Sequence, residues 1–472
     1  MTLTIKPQLL ENRTFEEIAV GDSASITRVL NKDDIDLFAI LSGDVNPAHL
    51  DEAYAAQTPF HKVIAHGMWG GTLISTVLGT KLPGPGTIYL SQQLKFQRPV
   101  CLGDVITVTV TVSAKSPEKN LVSLDCVCTN QAGKTVISGS AEVMAPTTKV
   151  RRESAPLPDL QLRRHPHFHQ LLTHCEQHEA IPAAVAFPCD VSSLTNALQA
   201  AQAGLIKPIL VGPSEQIKRV AEDNQLDLTG CSWVEATTPS ASIEAAIQLA
   251  RSGDAKVLFQ GAMPLDETLH AVLNRTTGLR TDRRMSHVYL VDSPDYSQPL
   301  VITDGALIIQ PTLEDKRHIV QNAIDLVNTL GMKPKVAILS AADSISSALL
   351  SSTDATALCK MAERGQIQGG DIDGPLSFDS AISPAAAHAK GLKSNVAGQA
   401  NVLVVPNIEV GDMLAKQLTF MAGAVAAEIL LGAQVPIILN NAAASERTRV
   451  ASAAIALVLA NASTAAAPLA AA

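Results

Sequence analysis

The stretch IAHGMWGGTLISTVLGTKL, residues 64–82, decides the fold of the first third of the chain. Its apolar side chains recur near helical spacing, at Ile64, Met68, Ile74, Val77 and Leu78. The glycines among them would make this helix weak in isolation, because glycine loses much backbone entropy when a helix forms. The stretch therefore predicts a helix that is buried or closely packed against another element.

The apolar pattern changes from a helical to an alternating period after this helix. Three stretches alternate: DVITVTVTVS (104–113), LVSLDCVC (121–128) and, more weakly, TVISGSAEVM (135–144). Alternation places every second side chain on one face of a strand, and turn residues separate the three stretches. We therefore predict an antiparallel sheet packed on the helix, in an α+β domain that spans residues 1–147.

A polar segment with several prolines follows the sheet. Residues 145–166, APTTKVRRESAPLPDLQLRRHP, contain four prolines and few apolar side chains. Proline stiffens such segments, which favours a semi-rigid linker over residues 148–164. The remaining residues, 165–472, are then predicted to form a second domain.

Short apolar runs alternate with helical stretches, such as 192–205 and 239–253, throughout this second domain. The candidate strands are 183–187, 208–212, 256–260, 287–291, 306–310, 335–339, 401–405 and 435–439. This alternation is typical of a mostly parallel α/β sheet, in which ligands bind at the carboxyl ends of the strands. Those ends carry Pro188-Cys189-Asp190, Gly212-Pro213, Gly261, Asp292-Ser293 and Pro406-Asn407.

Composition excludes several classes of protein. The chain has 472 residues, is 46% hydrophobic and has a net charge of −9, which argues against a nucleic-acid binder. Its seven cysteines form no Cys-x-x-Cys pair, so we expect no disulfide framework and a cytoplasmic location. No apolar stretch of ~18 residues is free of charges and turn signals, so no membrane span is expected. The N-terminus lacks a signal-peptide core.

LSGDVNPAHLD, residues 41–51, contains the strongest candidate catalytic pair. Asp44 and His49 flank a proline, and this spacing alone is typical of an ordinary turn. A carboxylate and an imidazole close together could also share the two proton transfers that add water to an activated double bond. Gly67, which follows 18 residues after His49 at the start of the predicted helix, could offer a backbone N–H to a developing oxyanion.

Three stretches around this pair resemble the MaoC-like, (R)-specific enoyl-CoA hydratases. They are SGDVNPAHLD, FHKVIAHGM and LGTKLPGPGTIYLSQQLKFQRPVCLGDVITVTV, and the likeness covers about residues 14–145. The resemblance implies a hot-dog fold, a dimer and coenzyme A thioesters as substrates. It implies that Asp44 and His49 are the catalytic pair and that Gly67 binds the thioester oxygen. It also implies that Asn46 orders the loop and that Ser75 supports the site from the helix.

HFHQLLTHCEQHEA, residues 167–180, raises the alternative of a metal site. His174 and His178 share a helical face, with Cys175 beside them. No second ligand-rich motif follows, and a solvent-exposed helix explains the polar residues equally well. We therefore predict no metal and no cofactor other than the coenzyme A thioesters.

The second domain resembles the phosphate acetyltransferases and phosphate butyryltransferases. The resemblance rests on VAFPCDVSSLTNALQAAQAGLIKPILVGP, GLRTDRRMSHVYLVD, DGPLSFDSAI and VAGQANVLVVPNIEVGDML, and covers about residues 165–460. It implies an α/β acyltransferase-like domain with two subdomains, the inserted one spanning roughly 304–435. It also implies acyl transfer between coenzyme A and phosphate. The cleft residues implied are Arg280 and Arg284 for anions, with Ser286, Asp373, Gly374, Pro375, Asp379 and Asn407.

Two departures from that family leave the second activity open. Where relatives carry a Ser-Arg pair that binds phosphate, this chain has Asn441-Ala442, so an arginine is missing unless Arg447 or Arg449 reaches back. Phe187 also stands where many relatives have a histidine. The leading hypothesis is a bifunctional enzyme whose partners are acyl-CoA and phosphate, and which forms a homo-oligomer built from dimers. The alternative is a hydratase whose C-terminal domain only binds coenzyme A or holds an oligomer together.

Overall fold

The computed structural model describes residues 9–155, 162 and 165–465, with side chains described up to residue 462. It divides into a first unit, Met1–Leu162, and a second unit, Arg163–Ala472. Part of the predicted proline-rich linker, residues 156–161 and 163–164, lies outside the described residues. Among the described residues, no helix combines the length and apolar character that crossing a bilayer requires.

The first unit is an antiparallel sheet packed on one long helix, as predicted. Its strands are β1 (Leu9–Glu11), β2 (Ser23–Val29), β3 (Ile88–Phe96), β4 (Val105–Ser116), β5 (Leu121–Thr129), β6 (Thr135–Met144) and β7 (Arg151–Glu153). Its helices are α1 (Lys32–Ser42), α2 (Pro47–Leu50), α3 (Glu52–Gln57) and α4 (Gly67–Thr80), with 3₁₀ turns at Phe15–Glu17 and Glu118–Asn120. Five strands form the main sheet, in the order β2-β4-β5-β6-β3.

The core of this unit lies between α4 and the inward face of the sheet. Ile74 and Val77 of α4 are fully buried against alternate residues of the strands, such as Val110 and Leu124. Alternation of valine with threonine along β4 thus separates the buried face from the other face of the same strand. The glycines of α4 let it approach the sheet, since a Cβ on Gly70 would meet Ile137 Cδ1 at 2.3 Å.

The segment predicted to begin the linker is partly structured. β7 pairs in antiparallel fashion with β1 in a separate two-stranded sheet. Asn12 fixes this pair, because its Nδ2 donates to the carbonyls of Pro85 and Thr148 and its Oδ1 accepts from the Val150 N–H. A side chain distant in sequence therefore orders residues whose own composition predicts a linker.

The second unit contains one mixed sheet of eleven strands with helices between them. The strands are β8 (Ile181–Ala186), β9 (Ile206–Gly212), β10 (Ser232–Glu235), β11 (Val257–Gln260), β12 (Ser286–Asp292), β13 (Leu300–Thr303), β14 (Lys335–Leu339), β15 (Asp371–Leu376), β16 (Val402–Val404), β17 (Val425–Leu431) and β18 (Ile437–Ile438). The helices are α5 (Pro166–Cys175), α6 (Val191–Gln202), α7 (Ser214–Asp223), α8 (Pro239–Ser252), α9 (Leu265–Val272), α10 (Leu313–Thr329), α11 (Leu350–Glu363), α12 (Phe378–Ile382), α13 (Pro384–Ala389), α14 (Ile408–Phe420) and α15 (Glu446–Ala465).

The strand order, β10-β9-β8-β11-β18-β17-β12-β13-β16-β14-β15, contains two parallel groups that run in opposite directions. β17 is antiparallel to β18, β12 is antiparallel to β17, and β13 is antiparallel to β12. The carboxyl ends of β8, β9, β11 and β18 therefore lie at one edge of the sheet. The carboxyl ends of β13, β14, β15 and β16 lie at the opposite edge.

One predicted strand is wrong, and the reason is a side chain that caps a turn. Residues 306–310 were expected to be a strand, but the strand ends at Thr303 and the chain turns. The Asp304 carboxylate accepts hydrogen bonds from the N–H groups of Ala306 and Leu307, which a strand would need for its own ladder. The apolar run that follows is therefore loop.

Residues 167–180, predicted as a solvent-exposed helix rather than a metal site, include most of α5. The rings of His174 and His178 are 5.2 Å apart. Cys175 is buried and its thiol donates to the carbonyl of Ala454 on α15. Packing of α5 on α15 thus accounts for the cysteine.

We expect Gly139→Ala to destabilise the first unit by about 1–3 kcal/mol, because a Cβ there would lie 1.9 Å from the Gln93 carbonyl oxygen of the adjacent β3. Gly79→Ala is the matched control: it lies on α4 with no atom within 4 Å of its Cβ position, and should stabilise the helix by ~0.5–1 kcal/mol. Urea unfolding followed by the buried Trp69 measures both changes. Equal stability of the two variants would contradict the close approach of β3 and β6.

Candidate active sites

The loop that carries Asp44 and His49 is built by ordinary capping chemistry. α1 ends at Gly43, whose φ of 75° lies in the left-handed region that favours glycine. Asn46 then caps α2, its Oδ1 accepting from the Ala48 N–H at 3.0 Å, and the Asp44 carboxylate accepts from the Asn46 N–H at 3.2 Å. These bonds hold Asp44 and His49 on either side of a tight turn.

A main-chain contact fixes the tautomer of His49. Its Nδ1 lies 2.9 Å from the carbonyl oxygen of Ile64. Because a carbonyl oxygen can only accept, Nδ1 must carry the hydrogen, and the neutral ring keeps its lone pair on Nε2. His49 therefore offers a proton acceptor of fixed orientation.

His66 is a site residue that the sequence reasoning missed. It is 3% exposed, its Nε2 donates to the Asp44 carbonyl at 3.0 Å, and its ring centroid is 4.0 Å from that of His49. The motif IAHGM contains it, but the spacing of that motif points to the glycine that follows. The sequence places His66 directly before α4. Only the folded structure shows that its ring packs against the ring of His49.

Asp44, His49 and His66 bring one donor atom each within 4.8 Å of one another, as no other triad of such residues does in the described part of the chain. This is a spacing that a cation or a water molecule could bridge. His66 Nδ1 is buried, with neither a hydrogen-bond partner nor access to solvent. His49 Nδ1 and His66 Nε2 are each bonded to a main-chain carbonyl. The set therefore presents one imidazole nitrogen and one carboxylate to solvent, which suits holding a water molecule better than a metal ion.

A pocket of about 290 Å³ lies beside this group. His49, His66 and Gly67 contribute to its wall, together with apolar side chains that include Trp69, Phe96 and Ile137. Gly67 is the first residue of α4, where backbone N–H groups have no intrahelical acceptor, and a Cβ there would lie 3.2 Å from the Phe96 ring. A carbonyl oxygen in the pocket could accept from this N–H.

Three predicted residues do not line this pocket. Asp44 and Asn46 are exposed on the turn beside it, and Ser75 lies two turns further along α4 on an exposed face. The structure thus brings together Asp44, His49 and Gly67 but leaves Ser75 apart in the single chain. What is brought together is an imidazole of fixed orientation, a carboxylate and a backbone N–H at a helix start.

The cleft residues predicted in the second unit all lie toward one edge of its sheet. Arg280, Arg284 and Ser286 immediately precede or begin β12, at the edge where β13, β15 and β16 end. Asp373, Gly374, Pro375 and Asp379 lie on and after β15, and Asn407 follows β16. All of these residues therefore lie at the same edge of the sheet. Those on β15 are separated from those at β12 by three strands.

Several of these residues have structural partners. Ser286 is fully buried and accepts from Asn322 Nδ2, and the Arg284 guanidinium pairs with Asp315 at 3.1 Å. Asn407 caps α14 by accepting from the Val410 N–H. Asp373 accepts from the N–H of Gly374. The backbone of Arg280 bridges that of Ala433, and its carbonyl oxygen accepts from Gln434 Nε2 at 3.5 Å.

Asp379 belongs to a charged group on the surface. The Ser377 hydroxyl and the Lys390 ammonium donate to it and lower its pKa to about 2. Lys390 also pairs with Asp343 at 2.9 Å. Asp379 is therefore ionised, and its nearest cation is already shared between two carboxylates.

A buried polar centre lies between β12, β17 and α14, and no sequence motif marks it. His287 is fully buried with no hydrogen-bond partner on either ring nitrogen, and burial lowers its pKa to about 3. Burial raises the pKa of Asp304, whose carboxylate accepts from the His287 N–H, and of Glu428, which lies 3.9 Å from His287 Nε2. His287 and Glu428 lie within apolar strands and Asp304 follows one directly, so the pattern around them is that of an ordinary core.

At Asn441-Ala442, where relatives carry the Ser-Arg pair, the described side-chain contact is with a carboxylate. Asn441 Nδ2 donates to Glu428 Oε1 at 2.8 Å, so a carboxylate lies next to the residue that replaces the family serine. Arg449 Nη1 is 3.5 Å from Gln199 on α6, and Arg447 is exposed. Phe187 adopts a positive φ of 53° at the end of β8. The contacts of Arg449 thus direct it to α6 rather than to Asn441.

Two known families match different parts of the chain. Residues 240–457 match the family described as phosphate acetyl/butaryl transferase, and residues 16–128 match the family described as MaoC like domain. Among curated proteins, a phosphate acetyltransferase of Rhizobium meliloti is 50% identical over 277 residues, which are 58% of this chain and 88% of that protein.

Solved structures match both units as well. A branched-chain phosphotransacylase from Enterococcus faecalis V583 is 27% identical, with a TM-score of 0.53, over 59% of this chain and 99% of its own. The R-hydratase PhaJ1 from Pseudomonas aeruginosa, in its unliganded form, is 49% identical, with a TM-score of 0.32, over 33% of this chain and 99% of its own.

These matches confirm both resemblances predicted from the sequence. The MaoC-like match falls within the first unit, and the transferase match falls within the second. Since this chain spans most of a phosphate acetyltransferase with which it shares half of the aligned residues, it belongs to the phosphate acetyl/butaryl transferase family, with a MaoC-like domain preceding the transferase domain in the same chain.

Proposed function

We propose that the first unit adds water reversibly to trans-2-enoyl-CoA, giving (R)-3-hydroxyacyl-CoA. The observation that carries this is the tautomer of His49, whose Nδ1–H is held by the Ile64 carbonyl so that Nε2 is the proton acceptor. Asp44 is on the same turn, and the Gly67 N–H is at the start of α4. The resemblance to (R)-specific hydratases supports the stereochemistry.

The proposed reaction uses each of these groups once. His49 Nε2 takes a proton from water as the water oxygen bonds to C3, and the double-bond electrons move toward C2. Negative charge reaches the thioester oxygen, to which the Gly67 N–H donates. The proton then passes to C2, while the Asp44 carboxylate holds the water and stabilises the imidazolium. Dehydration runs the same steps in reverse.

We propose that the second unit transfers an acyl group between coenzyme A and phosphate. Its family membership and 50% identity to a phosphate acetyltransferase support this. Arg280 and Arg284 are the proposed anion contacts, and Asp373, Gly374, Pro375, Asp379, Ser286 and Asn407 are the proposed cleft residues. Such transfer needs positioning and charge neutralisation more than covalent chemistry.

A second candidate function rests on one specific observation. Asn441 binds Glu428, so a buried carboxylate stands where phosphate-binding groups are expected. A carboxylate next to this position would oppose a phosphate dianion. On this reading the second unit binds coenzyme A or holds the oligomer together, and the chain is a hydratase only.

We propose further that the protein acts in the cytoplasm as a homo-oligomer built from dimers, without a metal or a further cofactor. All seven cysteines are free thiols, which suits a reducing compartment. β3 is an edge strand of the first sheet and exposes Ile88, Leu90 and Phe96. A second copy would cover these side chains.

Asp44→Asn and His49→Ala should each lower kcat for crotonyl-CoA hydration by roughly 10²–10⁴, because each removes a proton-transferring or charge-holding group. Loss of enoyl absorbance measures the rate, and coupling to an (R)-specific dehydrogenase measures chirality. His61→Asn, a nearby exposed histidine outside the pocket, is the matched control and should be unchanged. An (S) product, or full activity in either variant, would rule out the assignment.

His66→Gln and His66→Asn distinguish the effect of the hydrogen bond that His66 donates from the effect of the volume its side chain fills. Glutamine can place an N–H where Nε2 donates to the Asp44 carbonyl, whereas asparagine is too short. We expect kcat within ~3-fold of wild type for glutamine and a fall of ~10-fold for asparagine with little change in KM, as loss of ~1.4 kcal/mol predicts. Equal rates for the two variants would show that this bond does not position Asp44.

Phosphate-dependent release of coenzyme A from acetyl-, butyryl- and 3-hydroxybutyryl-CoA tests the second unit. The full chain carrying Asp44→Asn is used, so that hydratase turnover does not consume the hydroxy substrate. We expect slow release, raised by Ala442→Arg on the order of 10²-fold, because one charge-stabilising donor is worth that much. Ala443→Arg, the adjacent control, should have no such effect. No release from any chain would leave the hydratase-only reading.

A further inference from the structure

A cavity of about 710 Å³ lies in the second unit, away from the proposed transfer cleft. Asp292, at the end of β12, and Val425, at the start of β17, are on its wall, together with residues of α5 and α15. Ser286, a proposed cleft residue, is at the other end of β12, a strand of seven residues, and so about 20 Å away. The cavity therefore lies at the sheet edge opposite that cleft.

The wall of this cavity is largely apolar, and the volume is one that suits a small organic molecule. Sites for such molecules typically enclose ~300–1,000 Å³ and have apolar walls with a few polar groups that fix orientation. The apolar side chains come from α5, from the loop before β14 and from the ends of β12 and β17: Phe168, Leu171, Met332, Leu290, Val425 and Ala427. The hydrocarbon part of a ligand would be buried against them.

Asp292 is the carboxylate among the described residues that line the cavity, and it is only partly satisfied. It is 6% exposed. Its Oδ2 accepts from the Phe168 N–H at 2.8 Å, and its main-chain carbonyl accepts from His165 Nδ1 at 3.3 Å. Oδ1 is buried and receives no hydrogen bond. Leaving a carboxylate oxygen buried without a donor is costly, so a donor on a bound molecule would relieve that cost.

The lysines on the wall have partners of their own and are remote from Asp292. Lys333 Nζ pairs with Asp371 at 2.8 Å, and the Lys335 ammonium donates to the Gln399 side chain. Lys335 begins β14, which is three strand spacings from β12, or about 14 Å. These cations therefore do not neutralise Asp292, and the polar group that the cavity lacks is a donor beside this carboxylate.

We propose that this cavity binds an amphipathic amine. Its protonated primary amine donates to the Asp292 carboxylate, and its hydrocarbon body lies against the apolar wall. An ammonium suits the site better than a hydroxyl, because a hydrogen bond between two charged groups is about twice as strong as a neutral one. The ammonium would also balance the buried negative charge. Neither proposed activity uses these residues, so the inference stands apart from both.

Dansylcadaverine, whose fluorescence rises in apolar surroundings and whose five-carbon chain ends in a primary ammonium, tests the site in the full chain. We expect saturable binding of one molecule per chain. Asp292→Asn should weaken this binding at least ~10-fold, since the amide can still accept from Phe168 but carries no charge. Asp254→Asn, the same change at an exposed carboxylate outside the cavity, is the matched control and should bind as the parent does. No saturable binding, or equal affinity in both variants, would overturn the proposal.

A second variant tests the cavity without altering the carboxylate. Leu171→Trp would fill part of the space beside α5 and should also weaken dansylcadaverine binding at least ~10-fold. Leu350→Trp, at a residue 72% exposed on α11, should leave the affinity unchanged. Unchanged affinity in Leu171→Trp would place the probe elsewhere and overturn the proposal even if Asp292→Asn failed to fold.

Two further probes identify the group that Asp292 binds. They carry the same dansyl group and chain length but end in a hydroxyl or in a carboxylate. We expect the alcohol to bind about 10-fold more weakly than the amine and the carboxylate to show no saturable binding. Equal or tighter binding of either probe would overturn the assignment to an amine.

Discussion

The hydrogen bond from His49 Nδ1 to the Ile64 carbonyl is the contact on which the candidate site of the first unit depends. It joins the turn after α1 to the segment that leads into α4, two parts of the chain that are 15 residues apart. The same bond decides which ring nitrogen can accept a proton. His66 adds a second tie, from the residue before α4 to the main chain of Asp44. Geometry and tautomer are thus set together, by main-chain carbonyls.

The second unit depends on a different constraint, the reversal of strand direction at β17 and β12. Because of this reversal, the two parallel groups end at opposite edges, and the predicted cleft residues gather at one of them. The reversal also brings His287, Asp304 and Glu428 into the interior. Burying such groups is costly, so the surrounding strands must be stable enough to hold them. Asn441 offsets part of this cost, because its side-chain amide donates a hydrogen bond to the Glu428 carboxylate.

The sequence predicted the elements whose pattern is local. Alternation of valine and threonine identified β4, and apolar spacing identified α4 despite its glycines. It missed β2 and β3, which have no fully buried residue, and it placed a strand at 306–310, where Asp304 turns the chain. Asp44 and His49 could be found because their motif is continuous. His66 could not be assigned a role, since its contact to Asp44 spans 22 residues.

The sequence by itself determined the two families, the order of Asp44 and His49 in their motif and the presence of Asn441-Ala442 after the last strand. These are properties of residue order, and order does not depend on folding. Only the tertiary structure decided the tautomer of His49, the burial of His66 beneath it, the direction of Arg449 toward Gln199 and the carboxylate beside Asn441. Each of these depends on distances between segments far apart in the chain. Those distances arise when the sheets form and the helices pack against them.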